Sequence, residues 1–110
     1  MASREIKDLH PQLQVLYNKF HDRCRRDSEL LRLGVSVVLA CTYRTQEEQN
    51  KVGGKSRHTA VTPQGKPAAE AFTVFLLQYG VPSYDDTFWK LIEDHGRAVG
   101  LRVNHGVFEL

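Results

Sequence analysis

"GKPAAEAFTVFLLQYG", residues 65–80, is the stretch on which the fold turns. A Gly/Pro approach gives way at Ala68 to a short apolar run, and Gly80 closes it. Such a run bounded by turn residues reads as a β-strand. Side chains alternate across a strand, so Glu70 and Thr73, three apart, face opposite sides. Upstream, "SRHTAV" (56–61) supplies a serine–arginine–histidine turn. Turn and strand together resemble half of a metal site, but the strand offers a hydroxyl at Thr73 where a carboxylate would face the histidine.

Outward from this strand the elements order themselves. "VSVVLAC" (35–41) is β-branched and nearly continuous, which predicts a second, buried strand. Leu13, Leu16, Tyr17, Phe20 and Cys24 recur at helical spacing and predict a long helix over about 11–27. Pro11 suits its first turn, Asp8 is the candidate cap, and Gly34 punctuates its exit. Thr45 with Glu48 three positions on is a capping-box pattern, so a short helix begins there and ends at Gly53-Gly54. Residues 53–68 hold three Gly and two Pro and predict an exposed loop. Phe88, Leu91, Ile92, His95 and Val99 predict a second long helix over about 85–99, with Gly100 at its C-terminal end. "LRVNHGVFEL" (101–110) predicts a last strand. The whole is an α+β arrangement in one domain, 1–110. Helices cover one face of a small antiparallel sheet, and the other face is free for a groove.

Bulk composition narrows the function classes. The chain has 110 residues, 41% hydrophobic and 25% charged, and a formal charge of +2. That charge is too mild to indicate nucleic acid or a membrane surface as partner. Its longest strongly apolar run, 34–41, is too short to span a bilayer. Two cysteines, Cys24 and Cys41, are too few for a disulfide framework and read as free, buried thiols. No basic end followed by an apolar run marks a signal peptide, so the expected location is cytoplasmic. A monomer is the expected state.

Several segments occur in one order: "SREIKDLHPQLQ", "CTYRTQEEQ", "SRH", "GKPAAEAFTV", "FWKLIEDHGRAVGL" and the terminal "FEL". Together they resemble the phage and bacterial cell-wall zinc peptidases, the L-alanyl-D-glutamate endopeptidases and D-Ala-D-Ala carboxypeptidases, and most of all their short endolysin branch. The similarity covers essentially the whole chain. It implies a Hedgehog/DD-peptidase-like fold and a peptidoglycan stem peptide as partner, with release to the cell wall depending on another protein. It also implies one zinc ion held by a histidine after the serine, an aspartate in the next strand and a histidine in the last strand. A carboxylate three residues before that last histidine acts as general base. Three protein ligands leave a fourth position for a water whose pKa falls toward neutrality, and the base takes its proton. The arginine of the "TYRT" motif holds an oxyanion or a substrate carboxylate.

Carried over residue by residue, this pattern is partly kept. Arg44, Gln49, Ser56 and His58 match the arginine, the following helix's glutamine, the serine and the first ligand. Thr73 stands where the family has aspartate, since "AFDV" is "AFTV" here. Alignment on Phe108-Glu109-Leu110 puts Val107 at the histidine ligand and Asn104 at the base, and the usual Trp-Gly-rich insert is missing. Glu70 faces the wrong way to substitute. His105 shares the strand face of Val107 but lies about 6–7 Å along it, too far for a zinc–nitrogen bond unless the strand shifts or bulges at Gly106. Zinc is therefore expected to bind weakly or not at all, and hydrolysis to be weak or absent. Two readings stand: a peptidoglycan-cleaving zinc peptidase with a rearranged site, and a non-catalytic relative binding a peptide, a cell-wall fragment or a protein.

Bland readings cover the other notable residues. His10 and His21 look like helix-surface positions, His95 like a core or helix-end histidine, and Trp89 like core. Arg23, Arg25 and Arg26 suit a helix C-terminus. His58, by itself in a Gly/Pro loop, reads as surface polar. A catalytic thiol is not expected at either cysteine. The carry-over makes one spatial demand: Arg44, His58, Thr73 and Val107 share a concavity, with Gln49 at its border.

Overall fold

The computed structural model describes residues 2–53, 56–104 and 106–110. It is α+β: four helices and a five-stranded antiparallel sheet. The helices are α1 (Pro11–Arg26), α2 (Ser28–Arg32), α3 (Gln46–Val52) and α4 (Asp86–Ala98). The strands are β1 (Val35–Cys41), β2 (Ala71–Gln78), β3 (Val81–Ser83), β4 (Arg102–Asn104) and β5 (Val107–Glu109). Strand order is β1-β2-β5-β4, and β3 pairs with the far end of β2.

β2 organises the sheet. β1 covers one of its edges from Thr73 to Gln78. On the other edge β5 takes Ala71–Thr73 and β3 takes Leu76–Gln78. Alternation along β2 sends Phe72, Val74 and Leu76 into the core, where α1 and α4 meet them with Leu13, Phe20, Phe88 and Ile92. The centre of that core is aromatic. Phe72 and Phe108 face each other across β2 and β5 with rings stacked at 5.1 Å. Phe20 of α1 closes on Phe108 at 4.7 Å, and Tyr17 meets Phe72 edge-on at 5.0 Å. α4 comes close enough to β5 that a Cβ on Gly96 would fall 2.6 Å from the Phe108 ring.

Several boundaries differ from the sequence reading, each for a local reason. His10, not Asp8, caps α1: its Nδ1 accepts the Gln12 N–H at 3.2 Å. The first long helix breaks at Asp27, whose backbone is extended and whose carboxylate Oδ1 caps α2 by accepting the Leu30 N–H at 3.0 Å. The last strand is a hairpin, β4 and β5, in which Asn104 lies across from Val107. β3 was not foreseen. It follows a two-residue turn at Tyr79 and Gly80, both at positive φ, the geometry of a tight hairpin.

Asp27 has a second partner: His95 Nε2–H of α4 donates to its other carboxylate oxygen at 2.6 Å. Burial alone would raise the Asp27 pKa, but the hydrogen bonds from Leu30 and His95 outweigh it and hold the carboxyl below the ordinary value. The unfolded chain then binds the proton more readily than the native one. The resulting stability is complete above the ordinary aspartate pKa of about 4 and is lost as pH falls through the lower native value. Asp27→Asn keeps a capping oxygen and removes the charge. In urea unfolding, its deficit relative to the unmodified chain should be largest near neutrality and should shrink as pH falls below about 4. Gly96→Ala should cost about 1–3 kcal/mol in the same measurement, because neither α4 nor the Phe108 ring has room to give.

Candidate functional site

The face of the sheet opposite the aromatic core carries a row of four side chains. Cys41 pairs with Thr73, Thr73 with Val107, and Val107 with Asn104, one from each of β1, β2, β5 and β4. Side chains directly opposite one another in such a row sit with Cβ atoms about 4.5–5.5 Å apart. The neighbouring row on the same face is Ala71, Glu109 and Arg102.

Above the row stand the loop and α3. The capping box at Thr45 is formed in both directions, with Glu48 N–H donating to Thr45 Oγ1 and Thr45 N–H to Glu48 Oε1. It holds α3 so that Gln49 is buried against Arg44, whose Nη1–H donates to Gln49 Oε1 at 2.7 Å. Gln49 Nε2–H in turn donates to Gly53 O at 2.6 Å. Ser56 caps the turn that presents the histidine, its Oγ accepting the His58 N–H at 3.1 Å. That turn is fastened to the end of β1 from both sides. Arg44 N–H donates to His58 O at 3.0 Å, and His58 Nδ1 lies 2.8 Å from Thr42 O. A carbonyl only accepts, so Nδ1 carries the proton and Nε2 carries the lone pair.

Arg44, Gln49, Ser56, His58, Thr73, Asn104 and Val107 therefore line one cleft of about 340 Å³. Glu70 stands apart, paired with Arg57 at 2.7 Å. His105 lies outside the described residues. His58 is 4% exposed, against the expectation of a surface loop residue, because Ser56 and Thr42 draw its turn inward. Burial lowers its pKa; the Thr42 hydrogen bond opposes this, the Arg44 charge reinforces it, and the Glu109 charge opposes it.

Two members of the cleft region escaped the sequence reading. Glu109 lines the cleft, two residues from Val107 and so on the same strand face. The alternation applied to His105 would have found it. Cys41 has basic neighbours: Arg44 Nη2 at 3.8 Å and His58 Nδ1 at 3.7 Å. Burial nevertheless pushes its thiol pKa up, outweighing the Arg44 charge, so it stays protonated and a poor nucleophile. Of the other histidines, His10 caps α1, His21 stacks on Tyr17, and His95 pairs with Asp27.

Among the described residues, the side chains of this cleft do not fit a zinc centre. His58 Nε2 is one good ligand. Thr73 adds a neutral hydroxyl, Val107 adds no donor, and Cys41 approaches the histidine nitrogen that is already committed to Thr42. Among the described residues no three His, Cys, Asp or Glu side chains are grouped closely enough to share a metal ion.

A second cleft of about 580 Å³ adjoins the first and shares Thr73 with it. Its far wall is α4, with Trp89 half-buried at the cleft rather than sealed in the core. No helix among the described residues is long and apolar enough to cross a membrane. No protein-family model, curated protein or solved structure matches the chain.

The buried, uncharged His58 makes a prediction. Its native pKa lies below the ordinary 6.5, so the unfolded chain binds the proton more readily. Its contribution to stability is complete above about pH 6.5 and is lost as pH falls through the lower native value. Imidazole nitrogen NMR should show the Nδ1–H tautomer at pH 7 and a titration midpoint below 6.5. His58→Gln should flatten the loss of stability between about pH 7 and pH 5.

Proposed function

We propose that this chain is a peptide-binding relative of the peptidoglycan-cleaving zinc peptidases, one that keeps their groove and has lost most or all of their metal-dependent hydrolysis. The carrying observation is Arg44. Its guanidinium is held at the cleft by neutral acceptors, Gln49 Oε1 and Cys41 Sγ, and no carboxylate pairs with it among the described residues. A fixed planar fork with its charge unspent suits a carboxylate, such as the C-terminus of a stem peptide. The ordered segments from "CTYRT" to "FEL" support the kinship.

The loss of chemistry follows from three positions in one row. Thr73 and Val107 stand across from each other where aspartate and histidine would hold the metal, and Asn104 stands beside them where a carboxylate would take the proton. An amide does not accept a proton from water near neutrality, so hydrolysis through this row lacks its base. Glu109 is a carboxylate in the cleft but belongs to the next row, about 6–7 Å along β5 from Val107.

Metal analysis tests the reading. Protein purified without chelator should carry substoichiometric zinc and leave stem peptides uncut. Thr73→Asp with Val107→His should bring zinc to one equivalent, and Asn104→Asp on that background should then be required for cleavage. Tight stoichiometric zinc in the unmodified chain, lost on His58→Ala, would overturn the proposal and point to His105 as a ligand.

A further inference from the structure

We infer that the outer edge of β1 is a pairing surface for a second copy of this chain. Two copies join antiparallel along Val35–Leu39, about a two-fold axis at Val37, and their sheets become one. This pairing does not depend on what the Arg44 cleft binds.

Backbone direction sets the pattern. Tyr79 N–H donates to Gly34 O at 2.8 Å, one step beyond the Val35–Gln78 pair of the β1–β2 ladder. In an antiparallel ladder every second residue directs its N–H and C=O the same way. Ser36 and Val38 therefore bond to β2, and Val35, Val37 and Leu39 direct their backbone groups outward. Among the described residues β1 pairs with β2 alone, and Ser3 bonds only Thr42 and Tyr43, beyond the end of the strand. The outward groups of three alternate residues are thus open, and an added strand satisfies them. In the register centred on Val37, Val37 stands across from its own copy and Val35 across from Leu39 of the second copy. Each of these opposed pairs exchanges two hydrogen bonds.

Charge and shape favour a second copy as the occupant. A two-fold axis sets each residue near it against its own copy, so a charge there would repel itself. Val35–Leu39 carries no charge and no proline, and the opposed pairs are Val37 with Val37, Val35 with Leu39, and Ser36 with Val38. The sheet's other edge is defended: β4 is three residues long and carries exposed Arg102. β1 has no such device, and its ladder with β2 is regular from Val35 to Leu39. Assembly therefore stops at two copies. Beside the open edge lies a cleft of about 240 Å³ lined by Cys24, Leu31, Val35 and Val37, apolar surface for an incoming strand to cover. Arg25 at the same cleft is paired with Asp22 at 2.7 Å. Five residues span only about 17 Å. Such a contact falls in the small, transient class below about 1,200 Å², so the dimer is weak. The monomer expected above is then the dilute species. Because the axis runs perpendicular to the sheet, both Arg44 clefts open on one face. On the peptide-binding reading, that offers two sites to a ligand of repeating units.

Sedimentation of the unmodified chain, without any peptide, tests the pairing. The mass should rise from one chain toward two, and no further, between about 10 μM and about 1 mM. Ser36→Glu with Val38→Glu sets like charges across from each other and should weaken the dimer about tenfold, whereas Ser36→Glu with Val38→Lys sets unlike charges there and should keep it. Amide hydrogen exchange in the unmodified chain decides should either variant fail to fold. Protection of the Val35, Val37 and Leu39 amides should grow with concentration, while Ser36 and Val38, bonded to β2, stay protected throughout. A single-chain mass at about 1 mM would overturn the inference. So would a dimer that leaves those three amides unprotected, or one that both charge variants weaken alike. Peptide binding at Arg44 is measured separately, so either reading can fail while the other stands.

Discussion

The cross-strand stack of Phe72 on Phe108 is the constraint from which the rest follows. The rings are nearly parallel, Phe20 and Tyr17 close over them from α1, and Gly96 lets α4 pack down on Phe108 without a side chain in the way. Together they allow β2 and β5 one register. A slip of one residue would bring Thr73 or Val107 into the aromatic core and expose a phenylalanine, which the burial of both rings forbids. With the register set, Thr73 and Val107 face each other on the opposite side of the sheet. The composition of the cleft is thus a consequence of how the core packs.

The loop side of the cleft is held differently, by hydrogen bonds. Ser56, Thr42 and Arg44 each engage the His58 turn, and the α3 capping box places Gln49 to hold Arg44. The apparatus that would present a metal-binding histidine is complete, and Nε2 carries its lone pair. What is missing is the opposing half. Where a negative oxygen and a second imidazole would complete a tetrahedral site, the sheet offers a hydroxyl and an alkyl group. Among the described cleft residues, Arg44 brings a positive side chain and Glu109 a negative one.

Segments with strong local signals were legible from sequence. β1 at 35–41 follows from an unbroken β-branched run, α3 from the reciprocal bonds of Thr45 and Glu48, and α4 from its apolar spacing. The α+β class follows from their order. The hairpin at the end of the chain was less legible, because three-residue strands carry too little periodicity to be told from one longer strand. The break at Asp27 was hidden for a related reason. Its extended backbone is stabilised by the cap on α2 and by His95, sixty-eight positions away.

For the cleft, the residue types were a matter of sequence alone: Arg44, Gln49, His58, Thr73, Asn104 and Val107. Only the tertiary structure decided that these residues share a cavity, that Glu109 joins them, that Cys41 lies against both Arg44 and His58, and that Trp89 faces a second cleft. The physical reason is that residue identity and local periodicity are carried by neighbours in the chain. The row from Cys41 to Asn104, in contrast, exists only through strand register, and register is set by which aromatic rings find each other in the core.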